Sequence, residues 1–145
     1  MINQKITVYS LAVILASVGI VYGLVAYSEY EDFKELSDMG IKGETSEKQI
    51  ETSFFSATGI INFVLSAWVL KSGLRKMTPY IVSIIASIAL IAIYISSRTV
   101  GVPIVGVEYY IGRLDIVSKV LQVVAIALSC ISIYSLRNSK IIRVT

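Results

Sequence analysis

The sequence predicts an all-α protein: an up-down bundle of four transmembrane helices with a structured, apolar extracellular loop before the fourth. Three observations carry this. The 145 residues are 55% hydrophobic and only 16% charged, with a mean hydropathy of +0.76, whereas a soluble domain carries about 25% charge. That much apolar surface cannot be hidden inside a soluble globule of this length, so it must face lipid. Four runs, 6–27, 54–70, 79–96 and 116–136, approach or exceed the roughly 20 residues that cross a bilayer, and none contains an acid. Basic and aromatic residues then fall at the ends of these runs in a pattern that fits one topology.

The first run is longer than the roughly 7–15 apolar residues of a secretion signal, and no small-x-small cleavage site follows it, so it is read as a membrane helix. Beyond it Tyr30, Phe33, Leu36 and Met39 recur every third residue, which predicts an amphipathic extension ending at Gly40 as a C-cap. Ser46-Glu47-Lys48-Gln49 reads as a capping box and predicts that the second helix begins near Glu47. Thr78-Pro79 reads as an N-cap followed by proline at the first helical position. Leu114-Asp115 opens the fourth helix, with Asp115 expected to accept from free backbone N–H groups. The chain is thus one integral membrane domain, 1–145, with outer loops at 28–53 and 97–115. No 20–50-residue period suggests a solenoid.

Lys5, Lys71, Arg75, Lys76, Arg137, Lys140 and Arg143 share a side with both termini, and no acid accompanies them. The other side holds eight acids in 28–53 against Lys34, Lys42 and Lys48, and a balanced set in 97–115. Lysine and arginine concentrate in cytoplasmic loops. Both termini are therefore expected in the cytoplasm and both long loops outside the cell membrane. The net charge of +3 hides this split. The basic face is expected to meet lipid headgroups, not nucleic acid. Tyrosine and tryptophan favour the two interfaces: Tyr9, Trp68, Tyr80 and Tyr134 fall near the inner ends, and Tyr27, Tyr30, Tyr94, Tyr109 and Tyr110 near the outer ends. Tyr22 alone sits deeper.

In lipid, close packing at small residues and hydrogen bonds hold helices together, because burial alone does not. Small or polar residues do recur at spacings of three and four: Ala12, Ala16, Gly19, Gly23 and Ala26; Gly59, Asn62, Ser66 and Gly73; Ser83, Ala86, Ala89, Ala92 and Ser96; and Asp115, Ser118, Gln122, Ala125, Ser129 and Ser132. These stripes are expected to face inward. Asn62 and Gln122 are the side-chain amides within the runs and lie at similar depth. They are expected either to hydrogen-bond between helices or, with Tyr22 and Tyr94, to contact a ligand admitted from outside, or a partner's helix.

More than half of residues 97–115 are apolar, and Gly101, Pro103, Gly106 and Gly112 favour tight turns over a helix. Its backbone must still satisfy its hydrogen bonds, so the loop is expected to fold over the bundle mouth. It then serves as a lid, a docking surface for another subunit, or a ligand gate, with Arg98, Glu108, Arg113 and Asp115 as an ion network. Arg98-Thr99-Val100-Gly101-Val102-Pro103, followed by glycine, an acid, Gly112 and Asp115 at the start of the last helix, resembles a loop in small four-helix membrane proteins of archaea and actinobacteria. The resemblance covers about 20 residues and the four-span layout; it implies the fold and no assigned activity. The Ile, Lys and Ser usage is similar to that of ammonia-oxidising archaea, whose ammonia monooxygenase resembles a complex with several small helical accessory subunits.

Histidine is absent, and Cys130 is the one cysteine. This leaves no His-based acid/base chemistry, no disulfide within the chain and no His- or Cys-rich metal centre. Cys130 is expected to be a small buried residue. No Walker loop, dinucleotide fingerprint or nucleophile elbow occurs. The acids of 28–53 lack EF-hand spacing and read as a solvated face. A lipid-modifying enzyme built on Arg98, Glu108, Arg113 and Asp115 is the least supported reading. Lys119 is the only charged residue inside a run, one turn from its end, so a proton- or ion-coupled transporter is not indicated. The expectation is a non-catalytic membrane protein without cofactor, an accessory subunit contacting lipids and other membrane subunits through its helix faces and the 97–115 loop. The alternative is a small-molecule or lipid carrier with an outward-facing pocket.

Overall fold

The computed structural model describes residues 4–101, 107, 109 and 111–141. They form α1 (Gln4–Asp38), α2 (Lys42–Ser72), a 3-10 turn (Gly73–Arg75), α3 (Thr78–Thr99) and α4 (Arg113–Ile141), with no strand among the described residues. The fold is all-α, as the sequence predicts. All four helices are long and apolar enough to cross a bilayer, and the chain is a multi-pass membrane protein.

Residues 28–53 are not a loop. α1 runs 35 residues, about 52 Å at 1.5 Å per residue, against about 30 Å of hydrocarbon. Its last turns therefore project beyond the membrane. The predicted stop at Gly40 is real: Gly40 has φ +75°, its N–H bonds to Ser37 O, and the Ile41 N–H reaches back to Leu36 O. This is a Schellman turn, which glycine closes without steric strain. α2 starts immediately after it, at Lys42, not near Glu47. The expected capping box does not form, and Ser46 Oγ instead bonds back to Lys42 O at 3.0 Å. The projecting part of α1 supplies a surface for α2 to pack on, and this extends the helix past its local start signal.

Two other caps differ in detail. Met77, not Thr78, occupies the N-cap of α3, and Pro79 sits within its first turn. Asp115 lies in the first turn of α4, where its Oδ2 accepts the Gly112 N–H at 3.1 Å. It reaches backward from inside the helix, as the acid of a capping box does. Gly101, at φ +85°, ends α3 by returning its N–H to Ser96 O.

α1 packs along α2 and also against α4, while α3 rests mainly on α4 and touches α2 little. At the end bearing the termini the interior is solid. Leu11, Ala12, Leu15, Leu65, Val69, Tyr80, Ala125 and Leu136 form one buried cluster. Ser66 Oγ donates to Ala12 O across α1 and α2 at 2.7 Å. The small stripes of α2 and α4 do face inward: Gly59, Asn62 and Ser66 are buried, as are Ser118, Gln122, Ala125, Ser129 and Ser132. On α1, Ala12, Gly19 and Ala26 are buried but Gly23 is exposed. On α3, Ser83 and Ser87 are buried while Ala89 and Ala92 face outward. That helix has one main neighbour, so only a narrow strip of it is covered. Cys130 is exposed, because its position on α4 falls outside the inward strip.

Candidate functional site

The other end of the bundle is not solid. Between the ends of the helices nearest the α1–α2 turn lies a cavity of about 560 Å³, within the size range of small-molecule sites. Every helix contributes a wall. Val21, Tyr22, Val25 and Glu29 come from α1, and Ile50, Glu51, Phe54 and Phe55 from α2. Leu90, Ile93, Tyr94 and Arg98 come from α3, and Asp115, Ser118 and Lys119 from α4. The walls are mostly apolar and the charges gather at the rim, with Lys119 set deeper.

The four helices bring side chains together at one level. At this level the helices present Tyr22 on α1, Phe55 on α2, Tyr94 on α3 and, beside the Ser118–Gln122 strip of α4, Lys119. The Tyr22 and Phe55 rings stack with centroids 6.0 Å apart. The Lys119 ammonium lies 4.8 Å from the Tyr94 ring centre and 5.4 Å from that of Tyr22, and donates to the Tyr22 hydroxyl at 2.9 Å. Gln122, one turn deeper, donates from Nε2 to the same hydroxyl at 2.9 Å. A charge inside a membrane helix costs about 2.5–3.5 kcal/mol on insertion scales. Two ring faces recover part of that, on the order of 1–2 kcal/mol. No carboxylate lies within ion-pair reach of Lys119 among the described residues.

Two ionic clusters form the rim. Arg98 bonds Asp115 at 2.9 Å and lies over the Tyr94 ring, tying α3 to α4. Lys48 bridges Glu29 and Glu51 at 2.7 and 2.8 Å, tying α1 to α2. The second cluster sits on the projecting helices, beyond the apolar runs. Burial pulls the Lys48 ammonium toward its neutral form, but the hydrogen bonds and negative charge of Glu29 and Glu51 outweigh this and hold its pKa above the ordinary value. Glu29 is pushed above the usual carboxylate range, by burial first and by the neighbouring Glu51, with Lys48 only partly opposing.

Of the residues expected at a polar site, Tyr22, Tyr94 and Gln122 converge here, Gln122 just below the cavity. Asn62 does not. It is buried, but its Nδ2 donates to Thr58 O of its own helix at 2.9 Å, so it neither pairs with Gln122 nor lines the cavity. Of the expected ion network, Arg98 and Asp115 pair. Arg113 is exposed at the mouth and makes no ion pair among the described residues, and Glu108 lies outside them. Sequence reasoning missed Lys119 as a site residue although its isolation in an apolar run was the available signal. It also missed the Glu29–Lys48–Glu51 bridge, which a loop assignment for 28–53 concealed.

Comparison with family models, curated proteins and solved structures finds no match.

Proposed function

We propose that this multi-pass membrane protein binds a small amphiphilic molecule, a lipid or lipid-like compound, in the cavity at the acidic end of the bundle. The charge bias of the sequence sets that end on the outer face and both termini in the cytoplasm. The cavity itself carries the reading: about 560 Å³, apolar-walled, charged at the rim, in a bundle whose other half is densely packed. A molecule with an apolar body and a polar end matches that gradient. The lining offers phenols, serine hydroxyls, ion pairs and the Lys119 ammonium, groups that can hold the polar end of a ligand, and this supports the reading of a binder.

Native mass spectrometry of protein extracted in a mild detergent tests this. The wild type should retain a stoichiometric amphiphile, and Leu90→Trp, which fills the cavity from α3, should lose it. Equal retention by both would overturn the reading.

The accessory-subunit reading draws on a different observation. Gly19, Gly23, Ala26, Ser56 and Gly59 border an open groove on the α1–α2 surface, and an added Cβ at Gly23 meets nothing within 4 Å. Small residues of this kind admit a neighbouring membrane helix closely. Co-purification of a stoichiometric membrane partner, lost in Gly23→Leu, supports that reading. A chain that always purifies alone opposes it.

A further inference from the structure

We propose that the cavity recognises an oxyanion, a carboxylate or phosphate at the head of its ligand, through the Lys119 ammonium and the hydrogen-bond donors beside it. The inference rests on the cavity being an amphiphile site and names the class of its ligand.

The argument is a count of donors against acceptors. Lys119 is a donor only. Its ammonium bonds the Tyr22 hydroxyl, and the two ring faces beside it accept no more than a diffuse share of its charge. The nearest acid on its own helix, Asp115, is committed to Arg98 and to the Gly112 N–H. The Tyr22 oxygen already accepts from both Lys119 and Gln122. Its own hydrogen must point elsewhere, and no acceptor for it stands within reach among the described residues. Gln122 is 1% exposed, and its Oε1, an acceptor, is unpartnered in this arrangement. Turning the amide over does not help: Oε1 would then take the Tyr22 hydrogen, and the NH₂ would lose its acceptor. In either arrangement Lys119 keeps one positive charge and N–H groups beyond those its neighbours accept, facing the cavity. An oxygen anion supplies both the missing charge and the missing lone pairs, as charge-assisted hydrogen bonds do elsewhere.

Two sources have this chemistry: the headgroup of an anionic amphiphile and a free anion from solution. In dodecyl maltoside micelles, thermal stabilisation is titrated with dodecyl phosphate, dodecanoate, neutral dodecanol and inorganic phosphate. The two anionic chains should half-saturate at least about tenfold below dodecanol, the worth of one charge-assisted contact. Lys119→Met should abolish that preference, and Tyr22→Phe, which removes one donor but leaves the ammonium, should only weaken it. Lys119→Arg and Lys71→Gln, the latter at the opposite end, should keep it. Should Lys119→Met fail to fold, Tyr22→Phe against Lys119→Arg carries the test. Dodecanol binding as tightly as the anions overturns the oxyanion and leaves the cavity reading intact. So does an anion preference that survives Lys119→Met or is unchanged in Tyr22→Phe. Inorganic phosphate binding as tightly as dodecyl phosphate supports the oxyanion and removes the amphiphile. No binding by any probe, with Leu90→Trp indistinguishable from wild type, overturns both.

Discussion

Replacing Gly23 with alanine should stabilise the protein and replacing Gly59 should not, although both lie in helices of the same pair. Alanine is favoured over glycine in a helix interior by about 1 kcal/mol, so both substitutions start with that gain. A Cβ on Gly23 meets nothing within 4 Å, and the gain is kept. A Cβ on Gly59 would lie 3.2 Å from the Gly19 carbonyl oxygen and 3.5 Å from the Gly23 nitrogen. These are backbone atoms of α1 and cannot rotate aside, so the two helices must separate. Overpacking of this kind costs about 1–3 kcal/mol. Gly59→Ala is therefore expected to lie between neutral and about 2 kcal/mol destabilising, and the gap between the two variants should be about 1–3 kcal/mol. Reversible unfolding in mixed dodecyl maltoside and dodecyl sulfate micelles measures it. Equal effects at the two sites would refute the close approach of α1 and α2 at Gly19 and Gly59.

Tyr80 is fully buried and donates to Gly73 O at 2.6 Å. Tyr80→Phe should cost about 1–3 kcal/mol by leaving that carbonyl unmet, read as a lower Tm in detergent; an unchanged Tm refutes the bond. Ser66→Ala removes the bond to Ala12 O and should cost about 0.6 kcal/mol, at most about 1.7, whereas Ser53→Ala, whose hydroxyl only returns to its own helix, should cost less. Glu29 has its folded pKa raised, so its favourable contribution is full below the unfolded carboxylate pKa and is lost as pH rises through the folded value. The Tm should thus gain a component as pH is lowered from neutral toward the ordinary carboxylate pKa, and Glu29→Gln should lack it. Superimposable pH–Tm curves for the two proteins would rule out the buried setting beside Glu51 that raises Glu29.

Much of the bundle is legible in the residue order. Ser118, Gln122, Ala125, Ser129 and Ser132 announce an inward strip, and all are buried. Gly40 announces a stop, and a Schellman turn forms there. Local signals fail where a neighbouring helix supplies surface. Ser46 reads as a cap, yet α2 begins at Lys42, because the projecting turns of α1 and the Lys48 bridge reward an earlier start. They fail again on α3, where Ala89 and Ala92 belong to the predicted stripe but are exposed: a stripe is buried only as widely as its neighbours cover it. At the candidate site, Tyr22 and Gln122 were recognisable as polar groups at unusual depth, and Tyr94 as an interfacial aromatic near them. Their meeting point, Lys119, was visible only as an isolated charge.

By itself the sequence determined the number of spans, the inward faces of α2 and α4 and the chemistry available there, because hydropathy and helical periodicity are properties of each segment alone. Only the tertiary structure decided that Asn62 bonds within its own helix while Gln122 meets Tyr22, and that one half of the bundle is filled while the other encloses a cavity. Those outcomes depend on the axial offset and spacing between helices, set by packing between segments distant in the chain.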